Sequence, residues 1–169
     1  MELEKLKVCI CEGAAENAII DILLEHDLLI FRREETSVIR CRDGKTFETR
    51  YLRNGLTESI SVIRILDSRR ENFKLSKAYE SKVSVINVIT APEIEMLIIF
   101  HEEKYNEFKK SGKSPSTFCK ENLKMPRVKS YKFVRDYFKN ANILIQAIKK
   151  YSEISKIRKD EHTLLELLK

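Results

Sequence analysis

Glycine and proline are scarce, at 4 and 3 in 169 residues, and together with the hydrophobic and charged content this describes a helix-rich globular chain rather than a fibrous or disordered one. Long hydrophobic runs are also missing. The longest apolar stretches, such as Met96 to Phe100, fall far below the roughly 20 residues needed to span a bilayer. The opening Met1-Glu2-Leu3-Glu4-Lys5 is charged and shows no signal-peptide pattern, so the expectation is a cytoplasmic protein with no membrane partner. Zinc-type spacing is absent too. Cys9, Cys11, Cys41 and Cys119 form no CxxC pair, and no histidine stands at ligand distance from them in sequence. Reduced thiols packed as small hydrophobes is the better reading.

What is present is a chain with 43% hydrophobic and 34% charged residues, enough for one domain with a real core. Its 32 basic against 26 acidic residues leave a net charge of +6. That excess admits a polyanionic partner without demanding one.

Apolar periodicity predicts strands at Leu6–Cys11, Leu28–Phe31, Ile60–Leu66 and Val83–Ile89. The stretch Val38–Arg42 reads equally as a short strand or an irregular connection. Helical spacing marks Glu16–His26, Lys45–Arg53 and Lys74–Glu80. Asn54-Gly55 would close the second of these. Beyond Pro92 the pattern predicts a long helix over Glu93–Lys110, another over Ser114–Leu123, and a second long one over Ser130–Lys156. A short helix from Asp160 to the terminus completes the series. Alternating strands and helices imply an α/β fold with a mainly parallel sheet flanked by helices. The expected organisation is a single domain over 1–169, with an α/β core at 1–91 and a helical C-terminal extension, 92–169, packed on it.

In open α/β sheets ligands gather outside the carboxyl ends of the strands. Two predicted strands deliver acids there, Glu12 after LKVCIC and Asp67 after ISVIRIL. Val83–Ile89 delivers Thr90, Glu95 follows, and Glu16 lies one helical turn beyond Glu12. Carboxylates that converge repel one another, and Mg²⁺ relieves that repulsion with hard oxygen ligands. The plainer alternative is that strand-end carboxylates cap helices or pair with surface lysines. Arg69, Arg70, Lys74 and Lys77 form a local basic cluster, suited to phosphate contact or to a solvated face. The C-terminal run Lys149, Lys150, Lys156, Arg158 and Lys159 carries the same two readings. Tyr131, Phe133, Tyr137 and Phe138 read as helix core rather than base-stacking platforms. His26 and His162 read as surface residues.

Three segments, in order, resemble the Toprim family. VCICEGAAE (8–16) resembles its first motif, a strand followed by Glu-Gly, and the Glu-Gly-x-x-Glu form is similar to the OLD-like and RloB-like branches. VIRILDSRRENF (62–73) resembles the second motif, a strand followed by Asp-x-Asp. NVITAPEIEMLIIFH (87–101) resembles an RloB-like segment in which Thr90, Pro92, Glu95 and His101 fall at the recurring positions. The likeness covers residues 6 to about 104.

The resemblance implies a nuclease dependent on Mg²⁺ (or Mn²⁺) acting on DNA or RNA phosphodiesters, with links to bacterial phage defence and to an ATPase partner protein. It implies Glu12 and Asp67 as catalytic groups, Glu12, Glu16, Asp67 and Glu95 around metal, and Arg69, Arg70 and Lys74 on phosphate, with Thr90 and His101 as further candidates. One departure stands out, because the second acid of Asp-x-Asp is Arg69 here. A fixed cation in place of a ligand weakens metal binding. Either Glu71 or Glu95 substitutes, or Arg69 holds a phosphate beside one metal, or the site has lost catalysis. In the last case the chain is a non-catalytic Toprim-like module that binds nucleic acid or the ATPase partner. A homodimer is a further expectation, with no interface indicated. An unrelated small α/β phosphate-binding enzyme is the third reading.

Overall fold

The computed structural model describes residues 2–53, 56–67, 73–90 and 94–169. Its centre is a five-stranded, all-parallel sheet with the order β2-β1-β3-β4-β5. The strands are β1 (Leu6–Cys11), β2 (Thr36–Ile39), β3 (Ile60–Leu66), β4 (Val83–Ile89) and β5 (Glu161–His162). β3 is buried along its whole length. A central parallel strand covered on both faces needs an unbroken apolar run, and ISVIRIL supplies nearly that. β1 pairs with β3 from Leu6↔Ile60 to Cys11↔Ile65, and β3 pairs with β4 from Ile60↔Val83 to Leu66↔Ile89.

The chain leaves β1 through α1 (Ala14–Glu25) and crosses to β2, then returns through α2 (Gly44–Phe47) and a π turn (Glu48–Leu52) to β3. The short α3 (Lys77–Glu80) leads into β4. From there α4 (Met96–His101), α5 (Tyr105–Ser111), α6 (Pro115–Glu121), α7 (Tyr131–Tyr137) and α8 (Ala141–Ile154) build one thick layer, before β5 and a 3-10 turn (Leu164–Leu167). Among the described residues no helix is long and apolar enough to cross a membrane.

Several elements differ from the sequence reading. Leu28–Phe31 is no sheet strand. It makes an isolated antiparallel bridge, Leu29↔Leu168, while Leu29 and Phe31 sink into the core. Short apolar runs carry no information about their backbone partner, and here that partner is the end of the chain. Between residues 36 and 42 it is Thr36–Ile39 that pairs with β1, from Lys7↔Thr36 to Ile10↔Ile39. The expected helix 93–110 is broken between α4 and α5, where Glu103 takes a left-handed φ of 57°. The expected helix 130–156 divides into α7 and α8, because Asn140 caps α8 by accepting the Asn142 N–H at 3.1 Å. The last predicted helix is instead β5 plus the 3-10 turn, so the part after residue 92 adds an edge strand to the sheet as well as helices.

Candidate functional site

β2 lies on one side of β1 and β3 on the other, so the direction of winding reverses between β1 and β3. Such a switch point opens a crevice outside the carboxyl ends of the two strands. Glu12 follows β1 directly and Asp67 follows β3 directly. With Cys11 opposite Ile65, the two acids leave adjacent strands within about one residue of each other in register. Both are half-buried. Thr90, just past β4, is buried, and its N–H and Oγ1 both donate to the Leu66 carbonyl, at 2.7 and 3.0 Å. Its hydroxyl fixes the backbone immediately before Asp67.

Glu16 sits in the first turn of α1 and is 5% exposed. Its carboxylate folds back over Gly13, and a Cβ placed on Gly13 would lie 2.6 Å from Glu16 Oε2. Burial holds the Glu16 pKa above the ordinary carboxylate range, and the negative charge of Asp67 adds to the rise. Backbone N–H donors of Glu16 and Gly13 and the charge of Lys129 oppose it. The electrostatic influence of Asp67 on Glu16 joins acids from α1 and from the end of β3 in one field.

Glu95 immediately precedes α4 and is 3% exposed, with Lys129 Nζ 3.8 Å from its Oε1. The same ammonium acts on Glu16. Among the described residues Lys129 therefore stands as a counter-cation to Glu95 and Glu16. The sequence reading missed it, because nothing in VKSYKF distinguishes this lysine from its neighbours. Its place depends on how the segment before α7 returns to α1 and α4.

The other candidates lie apart or outside the described residues. The His101 ring, at the end of α4, packs edge-on against Tyr137 with centroids 5.6 Å apart. Lys74 is exposed, and its backbone rests against Gly44 on the α2 side. Arg69, Arg70, Glu71 and Pro92 lie outside the described residues. Phe138 is core, and the Tyr137 hydroxyl donates to Glu102 Oε1 at 2.6 Å. Tyr131 donates to Asp21 Oδ2 at 2.9 Å. All four cysteines are buried, and none is joined in a disulfide among the described residues.

The donor set suits Mg²⁺ in kind, since Glu12, Glu16, Asp67 and Glu95 offer only hard oxygens. It does not suit the ion in arrangement. Among the described residues no three His, Cys, Asp or Glu side chains are placed to hold a metal, and Lys129 supplies positive charge between two of the acids. Comparison with known proteins returned no matching family model, no matching curated protein and no matching solved structure.

Proposed function

We propose that this chain is a Toprim-like module that cleaves nucleic-acid phosphodiesters at the β1/β3 switch point. The observation that carries the reading is the gathering of Glu12, Glu16 and Asp67 at one rim of the sheet, expressed in the field of Asp67 on Glu16. Structural carboxylates disperse to lysines at the surface, whereas functional ones are held together against their own repulsion. Burial raises the Glu16 pKa, which suits its carboxyl to giving a proton to a leaving oxygen. Glu12 and Asp67 can orient or deprotonate an attacking water. A divalent ion, Mg²⁺ or Mn²⁺, would supply charge neutralisation at the phosphate.

The test is incubation of the purified chain with plasmid DNA and with single-stranded RNA, in Mg²⁺, in Mn²⁺ and in chelator. Metal-dependent cleavage should fall at least roughly a hundredfold in Glu12→Gln and in Asp67→Asn, both still folded by circular dichroism. Cleavage that survives both substitutions, or none with any cation, sinks the proposal.

A second reading has its own support. Lys129 beside Glu95, together with Arg69 in place of an acid, favours a non-catalytic module that binds nucleic acid or an ATPase partner. It predicts binding without cleavage, unchanged by the same two substitutions.

A further inference from the structure

The face of the molecule formed by α2 and the π turn has a composition of its own. Residues 40–53 hold Arg40, Arg42, Lys45, Arg50 and Arg53 against Asp43 and Glu48, which places three of the chain's six net positive charges in this one segment. All five cations are exposed. Both acids are turned to backbone duty: Asp43 accepts the Thr46 N–H at 2.8 Å, and Glu48 accepts the Ser76 N–H. Lys45, Thr46, Thr49 and Arg50 line an open depression of about 260 Å³. Beside it Tyr51 is 44% exposed, its ring propped on the buried Phe47 at 5.5 Å between centroids.

Helical spacing brings these groups together. Lys45 and Thr49, and Thr46 and Arg50, stand four residues apart and so share a face, and the five residues Glu48–Leu52 continue α2 as a π turn. Such widened turns are rare and recur at functional sites. The location also fits. β2 runs parallel to β1, so the chain leaves it at the same rim as Glu12 and Asp67. Phe73 packs on Phe47 at 5.6 Å on this face, and the Lys74 backbone meets Gly44.

We propose that the α2–π face is the strand-binding surface of the protein. Lys45 and Arg50, with the Thr46 and Thr49 hydroxyls, take a backbone phosphate of a single-stranded nucleic acid, and Tyr51 stacks on a base. The proposal rests on the reading of this chain as one that acts on nucleic acid, and it adds the surface and the form of the substrate. Cations and hydroxyls bind phosphate without regard to sequence. An exposed ring between arginines adds stacking that every base can satisfy. A duplex would hide its bases from Tyr51, so the combination selects single strands.

The test is fluorescence anisotropy with short labelled single-stranded DNA and RNA, in chelator, over a series of salt concentrations. Lys45→Glu/Arg50→Glu should weaken binding at least about tenfold and flatten the log–log salt slope by roughly 0.7 for each phosphate the variant no longer neutralises. Tyr51→Ala should weaken binding by about tenfold with the salt dependence unchanged. Lys109→Glu/Lys110→Glu, an equal charge change on exposed α5 residues, should do little. Equal weakening by that control overturns the proposal, as does unchanged binding in the Lys45/Arg50 variant. A wild-type chain with no affinity for either probe also overturns it and leaves the basic face to a protein partner. Patch-dependent binding without any cleavage removes the nuclease reading alone, and cleavage with patch-independent binding removes this surface alone.

Discussion

The two faces of the sheet are unequal. On one, α1 and the helices α4 to α8 bury 33 apolar residues of the described chain in one continuous cluster; on the other, eight suffice, around Phe47, Leu52 and Val62. The thin side leaves part of β4 open, with Val85 37% exposed. Burial is the main source of stability, so the thick layer holds the fold together. The thin layer contributes little to that and carries the basic, π-wound surface. Regions with little buried apolar packing open at low cost, and binding elements are drawn from them.

Truncating one large ring in each layer is the strongest way to break this contrast. Phe138 and Phe47 are 1% and 0% exposed. Phe138→Ala leaves a hole surrounded by packed helices and should cost roughly 4 kcal/mol in urea unfolding. Phe47→Ala leaves one bordered by the exposed Tyr51 and the half-buried Phe73, which can settle inward, so about 2–3 kcal/mol is expected. Equal or reversed costs would mean that the thin side is as integral to stability as the thick one.

A pair of glycines sharpens the comparison at smaller scale. At Gly44 an added Cβ would stand 2.2 Å from the Lys74 carbonyl oxygen, and backbone cannot yield without moving the whole 73–76 segment. Gly44→Ala should therefore cost roughly 1–3 kcal/mol and loosen the docked segment. Gly13 has an extended φ of −128°, open to any residue, and the nearest atoms to an added Cβ belong to the flexible end of Glu16. Gly13→Ala should cost less than about 1 kcal/mol in denaturation while displacing the Glu16 carboxylate. A larger loss at Gly13 than at Gly44 would contradict the close approach that ties the thin layer together.

The sheet was legible where it is most buried. β1, β3 and β4 read as Val/Ile-rich runs because parallel strands covered on both faces have no polar alternation to hide them. The ends of those runs were enough to put Glu12, Asp67 and Thr90 at one rim. What stayed hidden was decided by distant parts of the chain. Leu28–Phe31 has a strand's composition, yet its backbone bonds to Leu23 at the end of α1 and to residues 167–169, not to the sheet. β5 is two residues long and exists because β4 offers an edge. The helix breaks at Glu103 and Asn140 were masked by apolar spacing that continues across them. Lys129 and the π turn left no local mark, since one is placed by a returning loop and the other by an unusual hydrogen-bond pattern.

The smallest effect should come from the exposed rim of the thick layer. Glu166 closes the 3-10 turn: its Oε1 accepts the Thr163 N–H at 2.9 Å, and its Oε2 lies 2.6 Å from His162 Nδ1. Burial alone would raise its pKa, but the hydrogen bonds with the His162 ring and the Thr163 N–H outweigh it and hold the carboxyl below its ordinary value. A carboxyl with a lowered folded pKa stabilises the native state above its unfolded value, about 4.3, and that contribution is lost as pH falls through the folded value. Glu166→Gln should therefore cost about 0.5 kcal/mol at pH 7, as befits a solvent-screened pair. The gap from wild type should close under acid conditions, once both chains carry an uncharged group there. Thermal melts at neutral and acid pH measure this directly. A gap that persists in acid would assign the contribution to the shape of the cap rather than to its charge. A gap well above 1 kcal/mol would mean that this rim, and not the apolar cluster of Leu164 and Leu167 beneath it, anchors the end of the chain.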